Sequence, residues 1–212
     1  MRRFLPPLLG ISILFFLTLA IFNQSEKASA AIATHFVISE IQVAGADPDE
    51  DFIELYNPTS SDISLEGLRL GKRSSTGSTS ASIVAFAPDE VVPAHGYYLW
   101  CNTTLSVVLS CDRNTSATVT NNNSVALIDG ALSGGTIVDA ITFGTVANPL
   151  GEGTSLVAPT ASTSVERKAN SSSDSTSMGS GGSDEFSGNG EDSDDNASDF
   201  VSRTIPQPQN SQ

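Results

Sequence analysis

Basic residues are scarce in this chain: ten Lys and Arg stand against 24 Asp and Glu, for a formal charge of −14. Broad contact with nucleic-acid phosphates needs clustered cations. Beyond residue 30 only Lys72-Arg73 and Arg167-Lys168 are adjacent, so nucleic acid is disfavoured as a partner. Histidine is rarer still. Neither His35 nor His95 neighbours a Cys, Asp or Glu at ligand spacing, which leaves no zinc constellation. Nothing in the chain resembles a nucleophile elbow, and no catalytic set is legible. Cysteine occurs only at 101 and 111, with no CxxC pair. Beyond residue 30 there is no second hydrophobic run of spanning length, and no stretch of ten residues carries helical periodicity. Those absences leave an acidic chain that is expected to be soluble outside the cell and to repel polyanions.

The first thirty residues have a different character. Arg2 and Arg3 precede an apolar run over residues 4–22, and Ala28-Ser29-Ala30 offers small residues at a cleavage site. This is the pattern of a secretory signal peptide occupying residues 1–30. Kept uncleaved, the 19-residue run at 4–22 is long enough to serve as a membrane anchor. No cysteine lies there, so a lipobox is excluded. Cleavage after Ala30 would remove Arg2, Arg3 and Lys27 against the single Glu26, carrying the formal charge from −14 to −16. In an exported chain Cys101 and Cys111 form an even pair and are expected to be joined as a disulfide. Such a loop is worth on the order of 2–3 kcal/mol.

What remains, residues 31–212, reads as one all-β domain. Short apolar runs separated by Gly, Pro, Asn, Asp and Ser predict strands at 36–43, 52–56, 65–70, 83–86, 97–101, 125–128, 137–143, 155–157, 164–167 and 200–202. Alternation is clear in several. Phe52, Glu54 and Tyr56 oppose Ile53 and Leu55, and Ile137, Asp139, Ile141 and Phe143 oppose Val138, Ala140 and Thr142. Turn residues fall between the runs, as at Asn57-Pro58, Pro93-Ala94-His95-Gly96, Asp129-Gly130 and Gly134-Gly135. Residues 170–198 are acidic and rich in Gly and Ser, which predicts a flexible loop. The return of apolar character at Phe200-Val201 predicts a last strand that rejoins the sheet.

The order of these features is more specific than any one of them. The run FVISEIQVAGADPDEDFIELYNPTSSDISLEGLRL from Phe36 to Leu70 sets two strands around an acidic loop, then a turn and a third strand. Tyr97-Tyr98-Leu99, Ile137-Val138-Asp139, Ser164-Val165-Glu166-Arg167-Lys168, Asp199-Phe200 and Pro206-Gln207-Pro208-Gln209-Asn210-Ser211 follow in turn. In this order the chain resembles the lamin tail domain family in its bacterial secreted form. The resemblance implies an immunoglobulin-like antiparallel β-sandwich, with association to a protein, a surface or nucleic acid. The Cys101/Cys111 loop and the long Ser-rich stretch after Asn170 depart from that pattern.

The expected function is a non-enzymatic binding or tethering module, secreted or at the cell surface, whose partner is a protein or a cell-envelope component. Membrane contact is expected only through an uncleaved N-terminal segment. One alternative is a Ca²⁺-assisted carbohydrate-binding module that stacks sugars on Tyr97, Tyr98 and Trp100. A further alternative is an accessory domain of a secreted hydrolase or nuclease system. No cofactor is expected beyond Ca²⁺. The candidate ligands are Asp192, Asp194 and Asn196, which sit at the first three ligand positions of an EF-hand loop. Ala197 and Arg203 stand where such a loop needs Gly and Glu, so a true EF-hand is not expected. The acidic group Asp47, Asp49, Glu50, Asp51 and Glu54 reads as a solvated turn with a structural carboxylate.

Overall fold

A computed structural model describes residues 31–212. The predicted signal segment lies outside them. The strands in chain order are β1 (Ala31–Ile32), β2 (Val37–Gln42), β3 (Phe52–Tyr56), β4 (Ile63–Ser64), β5 (Leu68–Ser74), β6 (Ala81–Ala85), β7 (Val91–Val92), β8 (Tyr97–Asn102), β9 (Arg113–Thr115), β10 (Asn123–Asp129), β11 (Thr136–Phe143), β12 (Ser164–Arg167), β13 (Glu191–Asp192) and β14 (Phe200–Arg203). A 3₁₀ turn spans Leu105–Val107, and a single helical turn, α1, spans Asn196–Asp199.

Two sheets face each other, as the alternation predicts. One has the order β11-β10-β5-β6 and the other β14-β12-β2-β3-β8-β9. Two-stranded ribbons, β1 with β13 and β4 with β7, flank them. Ile53 and Leu55 of β3, Tyr98 and Trp100 of β8 and Val165 of β12 meet Leu70, Val125, Leu127, Ile141 and Phe143 in one apolar cluster. Nearly all pairings are antiparallel, but β9 lies parallel to β8. That geometry normally needs a crossover of a dozen or more residues. Here the chain returns through the 3₁₀ turn, and the Cys101–Cys111 disulfide closes the loop with a Cα–Cα distance of 6.1 Å.

Several elements differ from the expected ones. Residues 155–157 form no strand, and Leu156 makes only an isolated bridge to Phe143. A bulge opposite Leu127/Ile128 resets the phase of β11. Val138 therefore packs on the core while Ile137 is exposed, so Ile137 does not share a face with Ile141 and Phe143. The acidic Gly/Ser-rich stretch is a succession of hydrogen-bonded turns, for example Ser173 N–H to Asn170 O at 3.0 Å and Met178 N–H to Asp174 O at 3.0 Å. It buries Met178 and Asn189, and its end contains β13 and most of α1. The predicted last strand is β14, which pairs with β12 at the sheet edge.

The outer face of the six-stranded sheet is also covered. All of β2 and β3 is buried on both sides. Residues 205–211 run across it as an extended strap, from the β14 edge to the turn before β9.

Candidate functional site

The two motifs Ile137-Val138-Asp139 and Glu166-Arg167-Lys168 meet in space. On β12, Glu166 turns outward and Arg167 inward, where its side chain is fully buried and spans the gap between the sheets. Its Nη2 donates to both carboxylate oxygens of Asp139 at 2.9 Å. Nε donates to Ile38 O at 2.9 Å and Nη1 to Glu191 O at 2.8 Å. The guanidinium also lies 4.6 Å from the Phe200 ring centroid. Asp139 further accepts from the backbone N–H of Ile38 and of Ala140. A buried ion pair tolerates desolvation only when its remaining donors and acceptors are used. Here the guanidinium joins β2, β11, β12, β13 and β14.

Around this cation lie further carboxylates. Asp192 Oδ1 is 3.5 Å from Arg167 Nη1, and Asp199 Oδ2 is 3.9 Å from it. Single oxygens of Glu152, Asp192 and Asp194 lie within 4.8 Å of one another. Burial pushes the Glu152 carboxyl up to about 8, with Asp139 and Asp192 adding to the rise. Burial likewise raises Asp192, against the pull of Arg167. Glu152 Oε2 and Asp192 Oδ1 are buried and accept no hydrogen bond. Thus Asp192 and Asp194, named from sequence, come together, and the carboxylate beside them is Glu152 from the loop after β11. The Asn196 side chain is engaged elsewhere. Its Oδ1 accepts from Thr142 N–H at 3.0 Å and Glu152 N–H at 3.2 Å, and its Nδ2 donates to Ala140 O at 2.9 Å. Three carboxylates are hard oxygen donors of the kind Ca²⁺ takes. Glu152 had no sequence signal, being 40 residues from Asp192 in an otherwise apolar and small-residue stretch.

In the other acidic group Glu50, Asp51 and Glu54 accept internal hydrogen bonds. Glu50 Oε2 accepts the N–H of Ala46 at 2.6 Å and of Asp47 at 3.1 Å, closing the turn. Asp51 is buried and accepts Val119 N–H at 2.7 Å, and burial pushes it up to about 7. Lys72 donates to Thr118 O, so Lys72 and Asp51 grip opposite ends of one peptide group. Glu54 is buried on the outer face.

The aromatic trio does not form a sugar platform. Trp100 is 0% exposed, and its Nε1 donates to Thr115 Oγ1 at 3.2 Å. Tyr98 is buried edge-on to Phe86 and donates to Glu90 Oε1 at 2.6 Å. Tyr97 lies against Tyr56 with centroids 4.7 Å apart and donates to Asn189 Oδ1 at 2.8 Å. Tyr98 and Trp100 are spent on packing and internal hydrogen bonds, as a core face of this strand requires, and Tyr97 is partly buried against Tyr56. Exposed apolar residues occur instead on the disulfide-closed loop, where Val107 is 83% and Val108 77% exposed. His35 sits 3.6 Å from Asp192, and His95 occupies the expected turn with φ of 57°. Among the described residues no hydrogen bond joins either histidine to a serine or a cysteine.

Two facing, largely antiparallel sheets bridged by a buried ion pair define an immunoglobulin-like β-sandwich. The family model for the Lamin Tail Domain matches residues 29–145. The chain belongs to the lamin tail domain family. The match takes in β1 to β11, while Arg167, β12 to β14 and the strap lie beyond it. A search of curated proteins returns no match.

Proposed function

We propose that this chain is an exported, non-enzymatic binding or tethering module that meets a protein or cell-envelope component outside the cell. The observation that carries the reading is the disulfide-closed loop after β8, which holds Val107 and Val108 in solvent on a covalently fixed base. Exposed valines on a constrained loop lose little conformational freedom on binding, which favours contact with a partner. Two further facts support it: disulfides persist in oxidising compartments, and the family is one of non-catalytic immunoglobulin-like modules. The acidic surface makes nucleic acid the poorest partner. Residues 31–212 as bait against the native cell envelope should capture a partner that the Val107→Ser/Val108→Ser variant loses. Equal capture by both would refute this surface, and metal-dependent hydrolase activity of the pure domain would refute the non-enzymatic reading.

Ca²⁺ belongs to the same reading as a structural ion rather than a catalytic one. Its proposed ligands are Glu152, Asp192 and Asp194. The buried oxygens Glu152 Oε2 and Asp192 Oδ1, neither of which accepts a hydrogen bond, support it.

A further inference from the structure

The strap has a period of two. Gln207 N–H donates to Glu40 Oε1 at 3.4 Å, Gln209 N–H to Glu54 Oε2 at 2.5 Å, and Ser211 N–H to Asp112 Oδ2 at 3.0 Å. Pro206 precedes Gln207 and Pro208 stands between Gln207 and Gln209; neither has an N–H to offer, and both hold φ near that of extended chain. Over residues 206–209 the strap can donate only from alternate residues. It is held to the sheet by every second amide, each aimed at a carboxylate.

Two of those carboxylates are neighbours. Glu40 on β2 and Glu54 on β3 are cross-strand partners, and both are buried. The bulge at Ser39 turns its hydroxyl onto Glu54 Oε1 at 2.5 Å, and Ser164 Oγ donates to Glu40 Oε1. Like charges directly opposite one another in a sheet are destabilising, and more so when water is excluded. The groups facing the pair are Glu166 from β12, Arg203 from β14 and Tyr97 from β8. The nearest cation, Arg203, is already committed to Glu166 at 3.1 Å. Nothing in residues 204–211 titrates. With the strap closed the pair has no free counter-charge; with the strap lifted, water reaches both carboxylates.

We propose that residues 205–211 form a proton-gated latch, closed over Glu40 and Glu54 while the pair retains a proton and released when both are ionised. The titration of the pair agrees with this geometry. Burial pushes Glu40 up to about 7 and Glu54 well above the usual carboxylate range, each raised further by a neighbouring carboxylate. The closed state thus binds protons that the open state gives up, and closure weakens as pH rises. Release would uncover the outer face of β2, β3 and β8.

Amide hydrogen exchange at Gln207 and Gln209 tests the latch, read as protection factors so that the intrinsic pH dependence divides out. Each proton released on opening weakens closure by about tenfold per pH unit within its window. We expect protection of both amides to fall at least about tenfold between pH 5.5 and pH 8.5, with Trp100 fluorescence unchanged. The Glu40→Gln/Glu54→Gln variant, neutral at both pH values, should keep its protection across the range. If the pair does not fold when doubly substituted, Glu54→Gln alone should flatten the dependence. Constant protection in the unsubstituted protein, or an undiminished pH dependence in the variants, overturns the proposal.

Discussion

Replacing Arg167 by Met is the most demanding test of the interior. The substitution keeps an unbranched side chain of similar length and removes all the guanidinium donors. Asp139 would keep only the N–H groups of Ile38 and Ala140. Ile38 O and Glu191 O would lose their donors, and Asp192 and Asp199 would lose their nearby cation. Breaking a buried pair by removing one partner costs about 3–5 kcal/mol. For a domain of this size that lowers Tm by about 6–20 °C. Urea unfolding followed by Trp100, the chain's single and fully buried tryptophan, measures the loss without a label. Asp139→Leu should also be costly. The double substitution should cost less than the sum of the two single losses by at least about 1 kcal/mol, because the stranded charge is gone. A loss below about 1 kcal/mol for Arg167→Met, or strict additivity, would show that the pair does not hold the sheets together.

Three further outcomes follow from the carboxylates and the disulfide. Glu40, Asp51 and Glu152 are each raised by burial, to about 7, 7 and 8. Their stabilising contribution is full below the unfolded carboxylate range and is lost as pH rises through those values. The urea midpoint should accordingly be higher at pH 5 than at pH 8, by about 1–3 kcal/mol of stability, and a midpoint that climbs toward pH 8 contradicts this. Reduction should add two hydrogens to the intact mass and lower stability by about 2–3 kcal/mol; an unchanged mass would mean that Cys101 and Cys111 are not bridged. Millimolar Ca²⁺ should stabilise the domain over EDTA by about 1–2 kcal/mol, as for a site of extracellular-module affinity. Glu152→Gln should abolish that gain, and superimposable melting curves in Ca²⁺ and EDTA would leave Arg167 as the cluster's only cation.

The sandwich was legible because alternation is a local signal. Ile53 and Leu55 announce a core face within five residues, and Asn57-Pro58 announces its end. The bulge at Val138 was not legible, since one extra residue reverses the phase without changing composition. Asp139 and Arg167 were each visible as parts of motifs but not as partners. Their link runs between sheets, and no period within either strand encodes it. Asn196 fitted a ligand spacing, yet its amide is spent tying Ala140 and Thr142 of β11 to the loop at Glu152. One face of β8 had to enter a core; Tyr98 and Trp100 take it between the sheets, and Tyr97 lies on the other.

The Arg167 ion pair also bears on the order in which the chain can fold. The four-stranded sheet is assembled from residues 68–143 alone. Its Asp139 stays without a counter-charge until Arg167, 28 residues later, has been synthesised. Arg167 in turn reaches back 129 residues to Ile38 O. Loop closure over such separations is slow, and a chain delivered N-terminus first would hold a half-built interior until its last strands arrive. By the same reasoning residues 29–145, the segment that the family model matches, should not form a stable domain when expressed alone.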